Sequence, residues 1–492
     1  MRKVIDFQMK LGETAIANIK FDLRSRDDIT KLLIGLQAIY CNRDVRDQVF
    51  QTLIKLIPSK IDINNGRNGM DLWKILVLGT LRLNCNWDYD KVHEMANNHC
   101  NLRLMLGHGL MDADYQYRLQ TLKDNITLFT KEILDEINQI VVHFGHQIAG
   151  LKADDKLSGS CDSFVVETNV HFPTDIGILF DAIRKMIEMV MIVSGISNIS
   201  LWRQGKKFIK NIKSLIRTAN QIKQSSSKDP SKKAKKEQSI ILAHQRIIDL
   251  AQFYVDRAMQ TISSIQSTDL QLNANIMFIQ GFIYHAERQI DQIRRRVING
   301  ESIPHAEKVF SIFEQHTEWI SKGKAGVPVE LGLKVCIVKD QLGFLLHHRV
   351  MRKETDDQIA VSIIEETRQR FPNFNGCSFD KGFHSPYTQE KLPEIIENVY
   401  LPRKGKLSAI NKEIENSPAF KAARRKHSAV ESSINALENH GLDRCPDHGI
   451  NGFERYVALA VVARNIQILG DMLQKKDLKK LLRQEKKERI AA

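Results

Sequence analysis

Apolar residues recur every three or four positions along most of the chain, which is the period of a helix with one buried face. The pattern is nearly continuous from residue 29 to about residue 148, and 70–83 is a representative stretch. We therefore predict that residues 1–150 form an all-helical N-terminal domain.

Two predicted helices in this domain are separated by a short turn. They cover 71–83 and 89–97, with Asn84-Cys85-Asn86 between them. The spacing fits a helix-turn-helix whose second helix reads DNA, and it also fits an ordinary pair of packed helices.

A pattern rich in β-branched residues begins near residue 158 and predicts a strand over 158–170. Similar patterns at 333–338 and 344–350 predict two antiparallel strands that turn at Lys339-Asp340-Gln341. This region is completed by a predicted helix at 360–369 and a short strand ending at Asp380. The order of these elements predicts an α/β core built on a mixed sheet.

About 150 residues of helical pattern separate the first predicted strand from the second, and an insertion into the core explains them most simply. We predict a helical insertion at 178–326 and a core formed by 155–177 and 327–470. The charged remainder, 471–492, is predicted to be a C-terminal helix.

A run rich in serine and lysine lies inside the predicted insertion, at 225–230 and 232–236. Its composition indicates a basic hinge between two long helices. Such a hinge is either a solvated linker or a contact for nucleic-acid phosphates.

The composition is that of a folded, water-soluble protein, since 42% of the 492 residues are hydrophobic and 26% are charged. Lys and Arg number 72 against 58 Asp and Glu, and the formal net charge of +14 favours a polyanionic partner such as nucleic acid. The seven cysteines form no CxxC pair, and no signal peptide or run of membrane-span length is present. We therefore expect a cytoplasmic protein without a membrane span.

Three acidic residues occupy positions suited to two-metal phosphoryl transfer. Asp162 lies on the first predicted strand, Asp380 at the end of the last, and Glu431 in the middle of the predicted helix 419–439. Two divalent ions need carboxylate oxygens from several elements, with coordination left open for the scissile phosphate and the attacking hydroxyl. We predict that these residues are catalytic acids and metal ligands.

The sequence around these acids resembles a known family of enzymes. It contains the runs DSFVVETNVHFPTD from Asp162, DKGFHS from Asp380 and HSAVESSINALE from His427. These runs are similar to those of DDE transposases of bacterial insertion sequences, most closely the ISNCY type. The resemblance extends over most of the chain and implies a helical DNA-binding region followed by an RNase H-like catalytic core.

The resemblance also implies an activity, cofactors and partners. Such a transposase binds the terminal inverted repeats of its element, cleaves the DNA there and joins the 3′ hydroxyl to target DNA. Its DDE triad holds Mg²⁺ or Mn²⁺, with two ions expected. It acts on double-stranded DNA as a homodimer or larger assembly, at the nucleoid in the bacterial cytoplasm.

Two features depart from the family pattern. The insertion precedes the second strand, whereas related transposases often carry it between the last strand and the glutamate helix. A Tyr, Arg and Lys signature is replaced by Arg424, His427 and Glu438. Glu438 lies seven residues after Glu431 on the same helical face, which makes it a rival third ligand, although the family-like run centres on Glu431.

Other residues near the three acids are candidates for supporting roles. Those predicted to contact DNA phosphates are Lys381, Arg403, Lys404, Lys406, Arg424 and Arg425. The auxiliary candidates are Asn169, His171, Asp175, Gly382 and Glu438. A helix cap built from Thr174 and Asp175 is the structural alternative for the segment after the first strand, and a solvated surface is the alternative for the basic runs.

Two other functions fit parts of the same pattern. A DNA-binding protein without chemistry, such as a domesticated relative, has the same basic surface but no need to gather acids. A plain metal-dependent nuclease needs the same triad and differs only in lacking strand joining. The P-loop, the dinucleotide glycine fingerprint, GxSxG and HExxH are absent from the sequence.

Overall fold

Helices make up most of the protein, and short polar side chains mark where many of them begin. A computed structural model describes residues 2–5, 12–57, 69–152, 154–224, 229–321 and 328–491. The side chains of Asp27, Asp88 and Thr174 each accept a hydrogen bond from a backbone N–H in the first turn of the following helix. Such caps satisfy N–H groups that have no partner inside the helix.

The described chain divides into two units, one formed by Met1–Asn169 with Ile320–Ala492 and the other by Val170–Trp319. The first unit opens with the helices α1 (Asp28–Cys41), α2 (Arg43–Ile54), α3 (Leu72–Asn84), α4 (Tyr89–Asn98), α5 (Cys100–Met105), α6 (Leu119–Ile126) and α7 (Lys131–Ala149), followed by strand β1 (Leu157–Thr168). The second unit contains α8 (Asp175–Ile196), α9 (Gly205–Gln224), α10 (Pro230–Ser263) and α11 (Leu270–Ile293).

Strand β2 (Glu318–Ser321) spans the boundary at which the chain returns to the first unit. The elements that follow it are β3 (Val329–Asp340), β4 (Leu345–Val350), α12 (Asp356–Arg370), β5 (Phe374–Phe379), α13 (Pro386–Ile395), β6 (Asn398–Tyr400), α14 (Ala409–Asn416), α15 (Pro418–Leu437), β7 (Arg444–Cys445) and α16 (Gly449–Ala491).

The strands form one mixed seven-stranded sheet with β1 at its centre. β3 pairs antiparallel with β1 on one side, and β4 pairs antiparallel with β3. On the other side β5 runs parallel to β1, and β6 runs parallel to β5. The predicted α/β architecture with a mixed sheet and large helical regions is therefore confirmed.

The N-terminal helices and the sheet share one hydrophobic core. Asn138 of α7 and Asn465 of α16 both donate to the carbonyl of Leu345 on β4, at 3.0 and 2.9 Å. The ring of Phe344 lies where a Cβ on Gly145 of α7 would stand, 2.2 Å away. Residues 1–150 thus belong to the same unit as the sheet, because α7 packs its apolar face directly on β4.

The second unit has a separate apolar core. Its helices bury Ile183 of α8, Ile212 of α9, Tyr254 of α10 and Ile290 of α11. The Trp202 indole N–H adds a hydrogen bond to Thr261 Oγ1 at 2.8 Å.

The predicted hinge differs from the structure in its second half. Lys232–236 lie in the first turns of α10, because Pro230 occupies the first turn and the Asp229 carboxylate accepts a hydrogen bond from the Ser231 N–H at 2.9 Å. These two residues start the helix before the lysines begin. Residues 225–228 lie outside the described part of the chain.

The predicted helix pair in the N-terminal region corresponds to α3 and α4, with Asn86 in the turn at a φ of 51°. The exposed residues of α4 include Asp90, Lys91 and Glu94. This face carries more negative than positive charge, which does not favour contact with DNA phosphates.

The C-terminal region is one helix, α16, where the sequence predicts a separate charged helix after residue 470. Gly470 lies against α1, and a Cβ there would stand 1.8 Å from the Lys31 carbonyl oxygen. The glycine therefore permits a close helix crossing and does not end the helix.

α16 is also long and apolar enough to span a membrane: an 18-residue window within Gly449–Ile490 has a mean hydropathy of 1.3, but 72% of that window is buried inside the protein. Among the described residues it is the one helix with this property. A buried core helix of a soluble protein has the same character.

The crossing of α1 and α16 predicts opposite effects of alanine at two helical glycines. Gly470→Ala should destabilise the first unit by about 1–3 kcal/mol or more, because the added methyl overlaps the Lys31 carbonyl. Gly281→Ala in α11 is the control: nothing lies within 4 Å of its Cβ position, so a gain of about 0.5–1 kcal/mol is expected. Urea unfolding of both variants measures the difference, and an unchanged transition in Gly470→Ala would contradict the crossing.

Candidate functional site

The pairing of β1 with β5 brings two of the predicted acids together. Cys161 on β1 is in register with Phe379, the last residue of β5. Asp162 and Asp380 are the next residues on the two chains. Neighbouring strands lie about 4.8 Å apart, and side chains alternate between faces, so these carboxylates emerge next to each other on one face of the sheet.

Helix α15 covers the same face and brings Glu431 to it. Ser378 lies two residues before Asp380, and its Oγ is 3.0 Å from Nδ1 of His427 on α15. Lys339 on β3 donates from Nζ to the Ala429 carbonyl at 2.7 Å and to Ser433 Oγ at 3.3 Å. Glu431 lies between these two anchoring points.

Lys339 is a residue whose role the sequence does not reveal. It was predicted to lie in a turn, whereas β3 continues to Asp340 and the turn comes after it. Lys339 is 8% exposed, and burial lowers the pKa of its ammonium. A buried cation tied to a helix carbonyl fixes the position of α15 on the sheet.

Burial and nearby negative charge dominate the electrostatics of the site. Burial, together with the smaller effects of the charges on Asp380, Asp356 and Glu431, raises the pKa of Asp162 to about 6, while a hydrogen bond from the Ser163 N–H opposes the shift. Among the described residues, neither Asp162, Asp380 nor Glu431 forms an ion pair with a basic side chain. Asp162, Asp380 and Glu431 therefore lie near one another without a neutralising basic side chain, whereas the neighbouring Asp356 pairs with Lys334.

The site opens to solvent on one side. Asp380 and Glu431 are exposed, whereas Asp162 is half-buried. His427 lies one helical turn before Glu431, and its Nε2 is buried without a hydrogen-bond partner among the described residues. Burial lowers the pKa of His427, and the negative charges of Asp380 and Glu431 oppose that shift.

Asp356 is an acid near the site that the sequence analysis missed. Its carboxylate accepts hydrogen bonds from Ser163 Oγ at 2.6 Å and from Lys334 Nζ at 3.0 Å. A Cβ on Gly382 would stand 3.2 Å from its Oδ2. Because Asp356 is the first residue of α12 and follows the cap Thr355, its sequence context is that of an ordinary helix start.

The carboxylate oxygens of the three acids are chemically suitable ligands for a divalent cation. Carboxylate oxygens are the ligands that Mg²⁺ prefers, and a cation would relieve the repulsion on Asp162. In the described part of the chain, no group of three or more His, Cys, Asp and Glu side chains has the arrangement of a metal site. The acids are thus close enough to interact but are not oriented around a single point.

The residues predicted to contact DNA lie on the segments around Asp380 and α15. Lys404 donates from Nζ to the Gly382 carbonyl at 3.0 Å, which links the loop after β6 to the turn after Asp380. The backbone N–H of Arg403 donates to Glu415 Oε1 at 3.0 Å. The exposed members of the set are Lys381, Lys404, Lys406, Arg424 and Arg425.

The auxiliary candidates after β1 have partners of their own. His171 Nε2 lies 3.4 Å from Asp181 Oδ2, and the Asp175 carboxylate pairs with Arg296 at 2.8 Å, both within the second unit. Thr174 caps α8 by accepting from the Gly177 N–H, as the structural alternative predicts.

The two remaining auxiliary candidates lie in the first unit. Asn169 is exposed directly after β1. Glu438 begins the π-helical segment Glu438–Leu442 beyond the end of α15.

Comparison with known proteins gives no match for the chain among family models, curated proteins or solved structures. The site is therefore described by its geometry alone.

The raised pKa of Asp162 predicts how its substitution affects stability. The folded state binds this proton more tightly than the unfolded state, so ionising Asp162 destabilises the protein as pH rises from about 4 to about 6. In the presence of a chelator, Asp162→Asn should raise the free energy of unfolding by up to about 3 kcal/mol at pH 7.5 and change it little at pH 4.

Asp447→Asn is the control for this experiment. Asp447 is buried and pairs with Arg82 and Arg455, each at 2.9 Å, so its neutralisation should cost about 3–5 kcal/mol at pH 7.5. Urea unfolding at both pH values measures the two effects. A loss of stability in Asp162→Asn at pH 7.5 would contradict the raised pKa of Asp162.

The contacts of Lys339 predict that its removal loosens α15 without unfolding the sheet. In Lys339→Met we expect amide hydrogen exchange over 427–437 to accelerate by roughly tenfold or more, because hydrogen bonds from a charged donor contribute about 1.5–3 kcal/mol. Lys421→Met, at an exposed position on the same helix, should leave that exchange unchanged. Equal exchange in both variants would show that Lys339 does not position the helix.

Proposed function

We propose that the protein is a DDE-type DNA transposase that binds the ends of an insertion sequence, cleaves the DNA there and joins the ends to a target. Asp162, Asp380 and Glu431 are its catalytic acids. The observation that carries the proposal is the convergence of these acids on one face of the sheet, where they repel one another and have no cationic partner in the described residues. A protein that only binds DNA gains nothing from such repulsion near phosphates.

The sheet supports an RNase H-like core for this enzyme. On one side of β1 lies the antiparallel strand β3, which pairs in turn with β2 and with the antiparallel β4; on the other side β5 and β6 run parallel to β1. This is the strand order and direction that an RNase H-like core requires. The location of the acids on the central strand, after the neighbouring parallel strand and on a later helix supports their assignment as a DDE triad.

The three acids would hold Mg²⁺ or Mn²⁺, with two ions expected. When bound, these ions supply positive charge at the scissile phosphate and lower the pKa of the attacking water or hydroxyl. The chain's own residues hold the DNA: Lys381 and Lys404 lie beside Asp380, and Arg424 and Arg425 lie on the exposed side of α15. Lys339 and His427 position the helix that carries Glu431.

The proposed reaction also implies where and with what the protein works. Its substrates are double-stranded DNA carrying the terminal inverted repeats and the target DNA. Pairing two element ends calls for a homodimer or larger assembly on DNA, at the nucleoid of a bacterial cytoplasm.

Substitution of the triad should separate binding from chemistry. Asp162→Asn, Asp380→Asn and Glu431→Gln should each lower DNA cleavage by roughly a hundredfold or more, about 2.7 kcal/mol in activation free energy, and leave DNA binding intact. The assay uses a labelled duplex containing the DNA that flanks the gene, with Mg²⁺ or Mn²⁺. Chelation should stop the reaction, and Ca²⁺ should support it poorly.

Glu438→Gln is the matched control on the following helical segment and should retain most of the activity. Full activity of Glu431→Gln would mean that the third ligand is misassigned. Binding without cleavage in the wild-type protein would favour a DNA-binding protein, and cleavage without strand joining would favour a plain nuclease.

A further inference from the structure

The second unit contains a long stretch of uncompensated positive charge. Residues 189–228 include eight Lys or Arg residues and no Asp or Glu. Most of these cations lie on α9. We propose that the exposed face of α9 binds the phosphate backbone of duplex DNA. The choice of DNA among possible polyanions rests on the proposed function.

Four of the cations form a straight line along α9. Lys206, Lys210, Lys213 and Arg217 are spaced by four, three and four residues, which places them within about 60° of arc on a helix of 100° per residue. All four are exposed. The line extends over about 16 Å at a rise of about 1.5 Å per residue. We call these four residues the α9 basic line.

The α9 basic line has no partner within the described protein. None of its four side chains forms an ion pair or a hydrogen bond there, whereas other cations of the same unit do. Lys185 pairs with Glu188 at 3.0 Å, and Arg295 pairs with Glu307 at 2.7 Å. Parallel, unpaired cations repel one another, so this arrangement is stabilised only when an anion lies along it.

The opposite side of α9 packs against the core of the second unit. Ile212 and Ala219 are fully buried, and Phe208, Ile209 and Ile216 pack against the same core. An amphipathic helix that binds membranes must insert its apolar face between lipids. Because the apolar face of α9 is already covered, the helix offers only polar and basic groups to a partner, which favours nucleic acid over a membrane.

Neighbouring groups extend the surface. Lys236 of α10 donates from Nζ to the Lys223 carbonyl at 2.9 Å, which brings the start of α10 next to the end of α9. The exposed lysines there are Lys232, Lys233 and Lys235. Ser214 is exposed beside the α9 basic line, and a serine hydroxyl donates to phosphate oxygens as lysine does.

The spacing of the charges suits a nucleic-acid backbone. Successive members of the α9 basic line are separated by about 4.5–6 Å along the helix axis. A duplex offers one phosphate charge per about 1.7 Å of its axis, so several phosphates face a helix of this length. Contact between the α9 basic line and DNA would depend on the charge of the phosphate backbone and would not distinguish one base from another.

Quantitative DNA binding by the full-length protein tests the proposal. The test variant carries Lys206→Gln, Lys210→Gln, Lys213→Gln and Arg217→Gln together. The control variant loses the same charge at exposed lysines that pair with acids: Lys55→Gln, Lys156→Gln, Lys475→Gln and Lys480→Gln. Fluorescence anisotropy with a labelled duplex of arbitrary sequence, in chelator and at about 50–200 mM salt, gives affinity and its salt dependence.

We expect the test variant to bind at least tenfold more weakly than wild type at the lower salt concentration. Its plot of log affinity against log salt should be less steep by about 3–4, since each lost phosphate contact removes about 0.9 from the slope. The control variant should change the slope by less than about 1. Circular dichroism should be unchanged in both variants, because the substituted side chains are exposed.

Equal weakening by the two variants would overturn the proposal, because the effect would then follow net charge. So would wild-type binding to vesicles of anionic phospholipid that is lost in the test variant while duplex binding is kept. The binding assay contains no metal, so its result is independent of cleavage. If wild type cleaves DNA and the test variant binds it normally, this inference alone fails; if Asp162→Asn still cleaves, the catalytic assignment alone fails.

Discussion

The parallel register between β1 and β5 is the constraint on which the candidate site depends. It ends at the pair Cys161 and Phe379, so that Asp162 and Asp380 leave the two strands side by side. A slip of one residue would turn Asp162 to the opposite face of the sheet and away from α15. The register is held by buried residues on both faces of β1, among them Cys161 and Val166, which are fully buried. Packing of the core thus fixes the geometry of a charged surface.

The sequence predicts the triad but not the groups that position it, and the reason is physical. Asp162, Asp380 and Glu431 stand at strand and helix positions that short patterns reveal. Lys339 and Asp356 act through pairing partners that are far away in sequence, Ala429 and Ser163, and these contacts exist only once the sheet and α15 have assembled. A lysine beside a turn and an aspartate in the first turn of a helix are ordinary in isolation.

The fold likewise has features that local sequence patterns predict and features that depend on tertiary contacts. The strands β1, β3, β4 and β5 and most helices follow from periodicity, and so does the large helical stretch between β1 and β2. The short strands β2, β6 and β7 are not predicted, because two to four residues are too few to show an alternating pattern. The continuity of α16 past Gly470 does not, because the glycine meets the Lys31 carbonyl of α1, a contact that no local rule predicts. The union of the N-terminal helices with the sheet likewise depends on Phe344 filling the space beside Gly145 of α7.

The first unit has unpaired acids and the second unit has unpaired cations. Both groups of charge are better explained by binding to another molecule than by folding. The protein pairs many of its charges, including the buried Arg82 and Asp447 at 2.9 Å, so its sequence is able to compensate charge where stability requires it. The charges at Asp162 and along the α9 basic line are not compensated in this way. Each group is less stable alone than when paired, and selection for folding alone would remove such repulsion. Under the proposed function, a phosphodiester backbone together with divalent ions would supply both the cation for the acids and the anion for the α9 basic line.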